Sequence, residues 1–233
     1  MSKKITSQDV AKAAGVSQSA VSRVFSGASA SKSTQAKVRA AAEELGYRPN
    51  VLARSLITGR SKIIGLVVAY LNNQFYPDAL ERLSKAVQAQ GFHILIFRAS
   101  ARGQGVDALI EQLLDYQVDG IICASVGMSD ELTSRCETAG IPVLLFNRGQ
   151  EGNRLGQVTS DNRNGARKIA EYLVKGGHQR FGHVAGWLGS STGQDRARGF
   201  AEGLEAHGAV LSGQRDGLYD RETAAEAAHY LVE

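Results

Sequence analysis

The chain changes hydrophobic period part-way along its length. Up to about residue 47, small apolar residues recur at helical spacing: Val10, Ala11 and Ala14, then Ala20, Val21 and Val24, then Val38, Ala41, Ala42 and Leu45. Each set falls on one face of a helix. From Ile63 the pattern becomes short β-branched runs, IIGLVVA, FHILIF, GIICAS and PVLLF, which suit strands buried on both faces of a parallel sheet. Helical stretches at about 78–90, 106–116 and 130–139 separate them, so the spacing predicts a doubly wound α/β sheet. A crossing segment, NRLGQVTSDN, then leads to a helix over about 165–175, a strand RFGHVA, a Gly/Ser loop, a helix to about His207 and a last helix.

Local signals divide the first part into three helices. Thr6 and Asp9 have the spacing of a capping box, Gly15 suits a left-handed exit, and Ser17 can cap a second helix. A polar stretch, 26–33, precedes a third helix over about 34–45. Two short helices joined by a glycine-containing turn, the first packed through alanines, form the helix-turn-helix pattern. In that motif the second helix enters the major groove and its first side chains meet base edges. Here those are Gln18 and Ser19, with Arg23 one turn on; Gln suits adenine, and Arg suits guanine or a phosphate. The competing reading is a generic three-helix bundle with a polar face.

The next stretch, YRPNVLARSLITG, reads as a separate element. Pro49 disfavours helix at Arg48, and Asn50 can cap a new helix over 51–57. A helix that short falls below the ~12 residues needed for marginal stability alone, and Val51, Leu52 and Leu56 would leave apolar surface uncovered. It therefore calls for a packing partner, unless it is an ordinary linker.

Charge sharpens the division. Residues 1–62 carry 11 Lys/Arg against 3 Asp/Glu, a net of +8, and residues 63–233 carry 16 against 20, a net of −4. A basic module joined to a near-neutral one points to a polyanion as partner of the first. The 43% hydrophobic and 21% charged composition is that of a globular chain. No apolar run approaches the ~20 residues of a membrane span, and MSKKITSQDV has no apolar stretch behind its lysines. Two cysteines, Cys123 and Cys136, are too few for a disulfide framework and suit an intracellular, cytoplasmic protein with both thiols in the core.

Ligands of open α/β sheets sit beyond the carboxyl ends of the strands. Those ends carry Asn73, Phe75 and Tyr76 after the first strand, and Asn147 and Arg148 after the fourth; Arg196 opens the helix after the Gly/Ser loop. Amide and guanidinium groups above aromatic rings suit a sugar or small organic acid, although such polar residues occur on the loops of any α/β domain. GSSTG matches G-x-S-x-G with Ser191 as nucleophile, but a hydrolase elbow follows its strand directly, and here a loop intervenes. The five histidines form no metal-binding pair, and no phosphate-binding glycine fingerprint is present. No metal, cofactor or catalytic role is therefore expected.

The stretches DVAKAAGVSQSAVSRVFSG and KVRAAAEELGYRPNVLARSL resemble the LacI/GalR family of bacterial transcriptional repressors, continuously through residue 60. The resemblance implies an all-α helix-turn-helix DNA-binding domain (1–47), a hinge helix and linker (48–61), and an α/β periplasmic-binding-protein-like core with parallel sheets. The core would divide into an N-terminal subdomain (62–148) and a partial C-terminal one (149–233). It makes Gln18, Ser19 and Arg23 operator readers and Ser17, Ser22 and Thr34 backbone contacts. It adds Asn50, Ala53, Arg54 and Leu56 from the hinge, with Leu56 wedging a base step in the minor groove. NQFY, FNR, SDNRNGA and DRARGF match effector-site motifs, implying Asn73, Phe75, Tyr76, Asn147, Arg148, Asp161 and Arg196, with Ser125 and Trp187 as further candidates. Implied partners are double-stranded operator DNA, a sugar-like effector and a second copy of the chain in a homodimer. Family cores run about a hundred residues past the equivalent of Glu233, and a sheet cut short exposes aggregation-prone edges, so lower stability than a full-length homologue is expected. The alternative is a solute-binding protein, against which the missing signal segment and the first 60 residues both argue.

Overall fold

The computed structural model describes residues 5–49, 59–69, 71, 75–100, 105–150 and 155–233. The chain divides into two units, Met1–Ser61 and Lys62–Glu233. In the first, α1 (Ser7–Ala14), α2 (Gln18–Ser26) and α3 (Lys32–Glu44) enclose a small core in which Val10, Val21 and Val38 have no exposed surface.

The capping signals act as the sequence predicts. The Thr6 hydroxyl accepts the Asp9 N–H at 3.3 Å, and the Asp9 carboxylate accepts the Thr6 N–H at 2.9 Å. Gly15 leaves α1 at φ 65°, and the Ser17 hydroxyl accepts the Ala20 N–H at 3.2 Å. The third helix begins at Lys32, two residues before the expected start. Ser31 caps it, accepting the Thr34 N–H at 3.1 Å. Thr6→Ala should lower the stability of this unit by about 1 kcal/mol, read as an earlier loss of helical circular dichroism in a urea titration.

In the second unit five parallel strands run in the order β2-β1-β3-β4-β5. They are β1 (Ile63–Val68), β2 (His93–Arg98), β3 (Gly120–Ala124), β4 (Val143–Phe146) and β5 (Gly156–Val158). Alternate side chains go to opposite faces. Val67, Ile121, Cys123, Val143 and Leu145 pack with Ile110 and Leu113 of α5 (Val106–Asp115) and Leu132 and Cys136 of α6 (Asp130–Thr138). Leu66, Val68, Ile122 and Ala124 face the other way, towards Tyr76, Leu80 and Leu83 of α4 (Phe75–Ala89). A second sheet of two parallel strands, β6 (Phe181–Ala185) and β7 (Leu211–Asp216), carries α7 (Asn162–Lys175), α8 (Ser191–Glu205) and α9 (Arg221–Val232). Phe181, Ala166, Ala170, Phe200 and Leu204 form its core.

Two strands depart from the sequence reading. β5 lies in the predicted crossing segment, and β7 in a stretch to which no element was assigned; neither carries an apolar β-branched run. α7 starts at Asn162 rather than near 165 because Asp161 caps it, accepting the Asn164 N–H at 3.2 Å. α4 starts at Phe75 rather than 78, with Pro77 tolerated in its first turn, where a missing N–H breaks no helical bond.

Both cysteines are free and buried. Burial pushes the Cys123 thiol up from 9.0 to about 12, with neighbouring Cys136 adding to the effect. Above pH 9 the unfolded chain releases a proton that the folded thiol keeps, so stability should fall as pH rises from about 9 to 12. Urea midpoints measured across that window should fall less steeply for Cys123→Ala.

Candidate functional site

The first unit presents one polar helix face. Val21 and Val24 of α2 are buried, which turns Gln18, Ser19, Ser22 and Arg23 outward, and all four are exposed. Positions 18, 19, 22 and 23 lie on one side of a helix. The Gln18 amide donates to the Ser7 hydroxyl of α1 at 3.0 Å, and the Ser17 and Ser19 hydroxyls are 2.9 Å apart. Ser17 accepts the cap hydrogen bond and keeps its own hydroxyl proton to donate. Thr34 is half-buried, with its hydroxyl 2.8 Å from that of Ser31.

The second unit holds a cleft at the carboxyl ends of its strands. The order β2-β1-β3-β4-β5 reverses direction between β1 and β3, the position where such sheets leave a crevice. Ser125 and Asn147 are the first residues past β3 and β4, and both take left-handed backbone angles, φ 58° and 61°. That conformation is uncommon outside glycine, and it brings their side chains onto Tyr76. The Tyr76 and Ser125 hydroxyls are hydrogen-bonded. The Asn147 amide donates to Tyr76 Oη at 2.8 Å and to Ser125 Oγ at 3.2 Å. Burial of Tyr76 and Ser125 keeps this triangle from exchanging freely with water. Beside it Phe75 stacks on Phe146 at 6.0 Å between ring centroids.

The second sheet supplies the facing wall. Thr192 donates its hydroxyl proton to the Asn147 carbonyl at 2.7 Å, and the Gly149 N–H donates to Ser191 Oγ at 3.0 Å. Arg196 donates through Nε to Asn162 at 2.8 Å, while Asn162 is itself fixed to the Ser160 carbonyl at 2.9 Å. The Arg148 guanidinium sits 4.9 Å over the Trp187 ring. Phe75, Tyr76, Ser125, Asn147 and Arg148 on one side, and Ser160, Ser190, Thr192, Arg196 and Tyr219 on the other, enclose about 290 Å³. Hydroxyl, amide and guanidinium groups beside stacked rings match a small hydroxylated ligand.

Residues 6–50 match the family model of bacterial regulatory proteins of the lacI family, and residues 64–232 match the periplasmic binding protein domain. The chain belongs to the lacI family of bacterial regulators. This lacI-family chain is 37% identical to the maltose regulon regulatory protein MalI of Escherichia coli K12 over 87% of its own length and 60% of MalI. It superposes with a TM-score of 0.85 on a lac repressor dimer bound to operator and the anti-inducer ONPF, at 26% identity, covering 99% of this chain and 70% of that one. A CelR–cellobiose complex superposes at 0.60, with 26% identity over 97% of this chain and 72% of that one. The chain thus spans 60–72% of the length of these relatives.

Within this lacI-family fold, Phe75, Tyr76, Ser125, Asn147, Arg148 and Arg196 line one cleft. Asp161 does not. It caps α7 and borders a neighbouring groove with Ile169 and Phe200. Asn50, Ala53, Arg54, Leu56 and Asn73 lie outside the described residues, as does the expected hinge helix. Trp187 is placed by its contact with Arg148. Ser160, Ser190, Thr192 and Tyr219 also line the cleft but are missing from the sequence reading. Ser160 and Tyr219 follow strands that carry no apolar signature, while Ser190 and Thr192 flank the Ser191 of the G-x-S-x-G match. Ser191 opens α8 and is hydrogen-bonded to a backbone amide.

Proposed function

We propose that the chain is a transcriptional repressor whose affinity for an operator depends on a small sugar-like effector held in the cleft. The observation that carries this is the exposed face of Gln18, Ser19, Ser22 and Arg23 on a Ser17-capped helix of a basic unit. It is joined to a second unit with a polar, aromatic-floored cleft. In this reading residues 1–47 are the DNA-binding domain and 48–61 the hinge. Residues 62–148 and 149–233 are the two halves of the effector-binding core. Gln18, Ser19 and Arg23 meet base edges, and Ser17, Ser22 and Thr34 steady the head on phosphates. Asn50, Ala53, Arg54 and Leu56 belong to the hinge contact, and Asn73 and Asp161 to the surroundings of the effector. The lac repressor's dimeric state on its operator supports a homodimer reading two half-sites, and the cellobiose held by CelR supports a sugar.

Effector binding would act as a coupling free energy between cleft and head, typically about 1–3 kcal/mol. In this reading the protein is not an enzyme and works in the cytoplasm, where its DNA is. Selection from a randomised duplex pool tests it: enrichment of an inverted pair of half-sites is expected. A pool that stays random after several rounds would overturn the reading, and with it the preference over a solute-binding protein.

A further inference from the structure

The amino ends of α1 and α2 meet beside the outward face of the head. Ser7 is the first residue of α1 and Gln18 the first of α2. Ser7 lies one turn ahead of Val10 and Ala11, and Gln18 one turn ahead of Val21; those three apolar side chains belong to the packed core of the head. The core thus sets the spacing of the pair, and the Gln18 amide donates through Nε2 to Ser7 Oγ at 3.0 Å. Ser7 is half-buried, while Gln18 is exposed, so the short, fixed side chain anchors the long one. A glutamine that orders itself only on DNA loses rotamer freedom at that moment, and one held in advance loses less.

The bond also decides what the amide can offer. A carboxamide has one acceptor oxygen and two N–H donors. With one N–H given to Ser7, Oε1 and one N–H remain. That pair complements adenine, whose N6 amino group donates and whose N7 accepts. Guanine presents two acceptors, O6 and N7, so Oε1 meets one of them unfavourably. An amide without its tether can turn about its last torsion and aim nitrogen at guanine instead. We propose that Ser7, from outside the recognition helix, is a positioning residue for base reading: it holds Gln18 so that an A·T pair is favoured over G·C in each half-site. This rests on the operator reading above and names the base that one of its readers selects.

Selection by the full chain from a randomised duplex pool gives the operator, and Gln18→Ala identifies the base pair that Gln18 faces as the one whose preference disappears. That pair should be A·T. Equilibrium titrations of operators carrying A·T or G·C there then compare the wild type with Ser7→Ala and Ser7→Thr. Ser7→Ala should reduce the A·T preference roughly three- to tenfold and leave preferences at the other base pairs unchanged. Ser7→Thr, which keeps a hydroxyl, should retain most of it. In the Gln18→Ala background, Ser7→Ala should have no further effect on base preference. Equal weakening on every duplex, or an undiminished A·T preference in Ser7→Ala, would overturn the inference, as would a G·C pair facing Gln18. Each of those outcomes leaves the operator reading standing. A wild-type chain that enriches no sequence would overturn both.

Discussion

Gly199→Ala should destabilise the second unit, although helix propensity alone predicts a gain of about 1 kcal/mol for replacing a mid-helix glycine. The reason is the approach of α8 to α7. A Cβ at position 199 would lie 2.1 Å from the backbone oxygen of Arg163, and one at 203 would lie 2.7 Å from both Arg167 O and Ala170 Cβ. The obstacle at 199 is backbone, so relief requires the two helices to part. Separation would open the core of Ala166, Ala170, Phe200 and Leu204 and displace Thr192 and Arg196, which α8 carries into the cleft. Gly199→Val, larger and β-branched, should cost about 3 kcal/mol or more. The exposed Arg163–Glu202 ion pair across the same two helices provides the contrast. Its Glu202 carboxyl is held below the usual range by the hydrogen bond from Arg163, yet Glu202→Gln should change stability far less than either glycine variant because water screens the pair. Urea denaturation of the three variants checks the ranking. A Gly199→Ala protein more stable than wild type would show that the close approach is absent.

Arg23→Ala should weaken binding to a selected operator by about 1–3 kcal/mol, roughly five- to 150-fold, and relax the preference at one base position. Arg23 is exposed on the same face as Gln18 and Ser19, and its last helical turn keeps the side chain clear of the buried Val21 and Val24. A fork of donors there can bind guanine bidentately or hold a phosphate, and the two roles differ in what they do to other sequences. Loss confined to the cognate base assigns base reading. Equal loss on every duplex, with a shallower dependence on salt, assigns a phosphate contact instead. Equilibrium titrations of the variant against operators changed one base pair at a time give the answer.

Much of this architecture is legible along the chain because its signals are local. The Thr6–Asp9 capping box, the Ser17 cap and the Gly15 exit depend on residues within a few positions of one another. β1, β3 and β4 carry apolar runs where the sheet buries them, and β2 carries one although none of its residues is fully buried. What escaped depends on partners distant in sequence. β5 is three exposed residues, and β7 is polar, with only part of its surface covered. Each is a strand because β4 or β6 presents an unpaired edge beside it. Ser160 and Tyr219 escaped with them, since a strand end cannot be searched for ligands before the strand is known. Tyr76 shows the converse. Its sequence position marked it for the cleft, but its burial and its bond to Asn147, 71 residues away, come from the pleat and crossover of the sheet. Asp161, which motif resemblance associates with the effector, also caps the amino end of α7 with its carboxylate.

The central claim is that the outward face of α2 tells one DNA sequence from another. Its most direct measurement is the ratio of dissociation constants for a selected operator and a scrambled duplex of equal length, at several salt concentrations. Both constants should rise steeply with salt, while at physiological ionic strength the operator stays bound at least about 10³-fold more tightly. A ratio near one at every salt concentration would contradict the account.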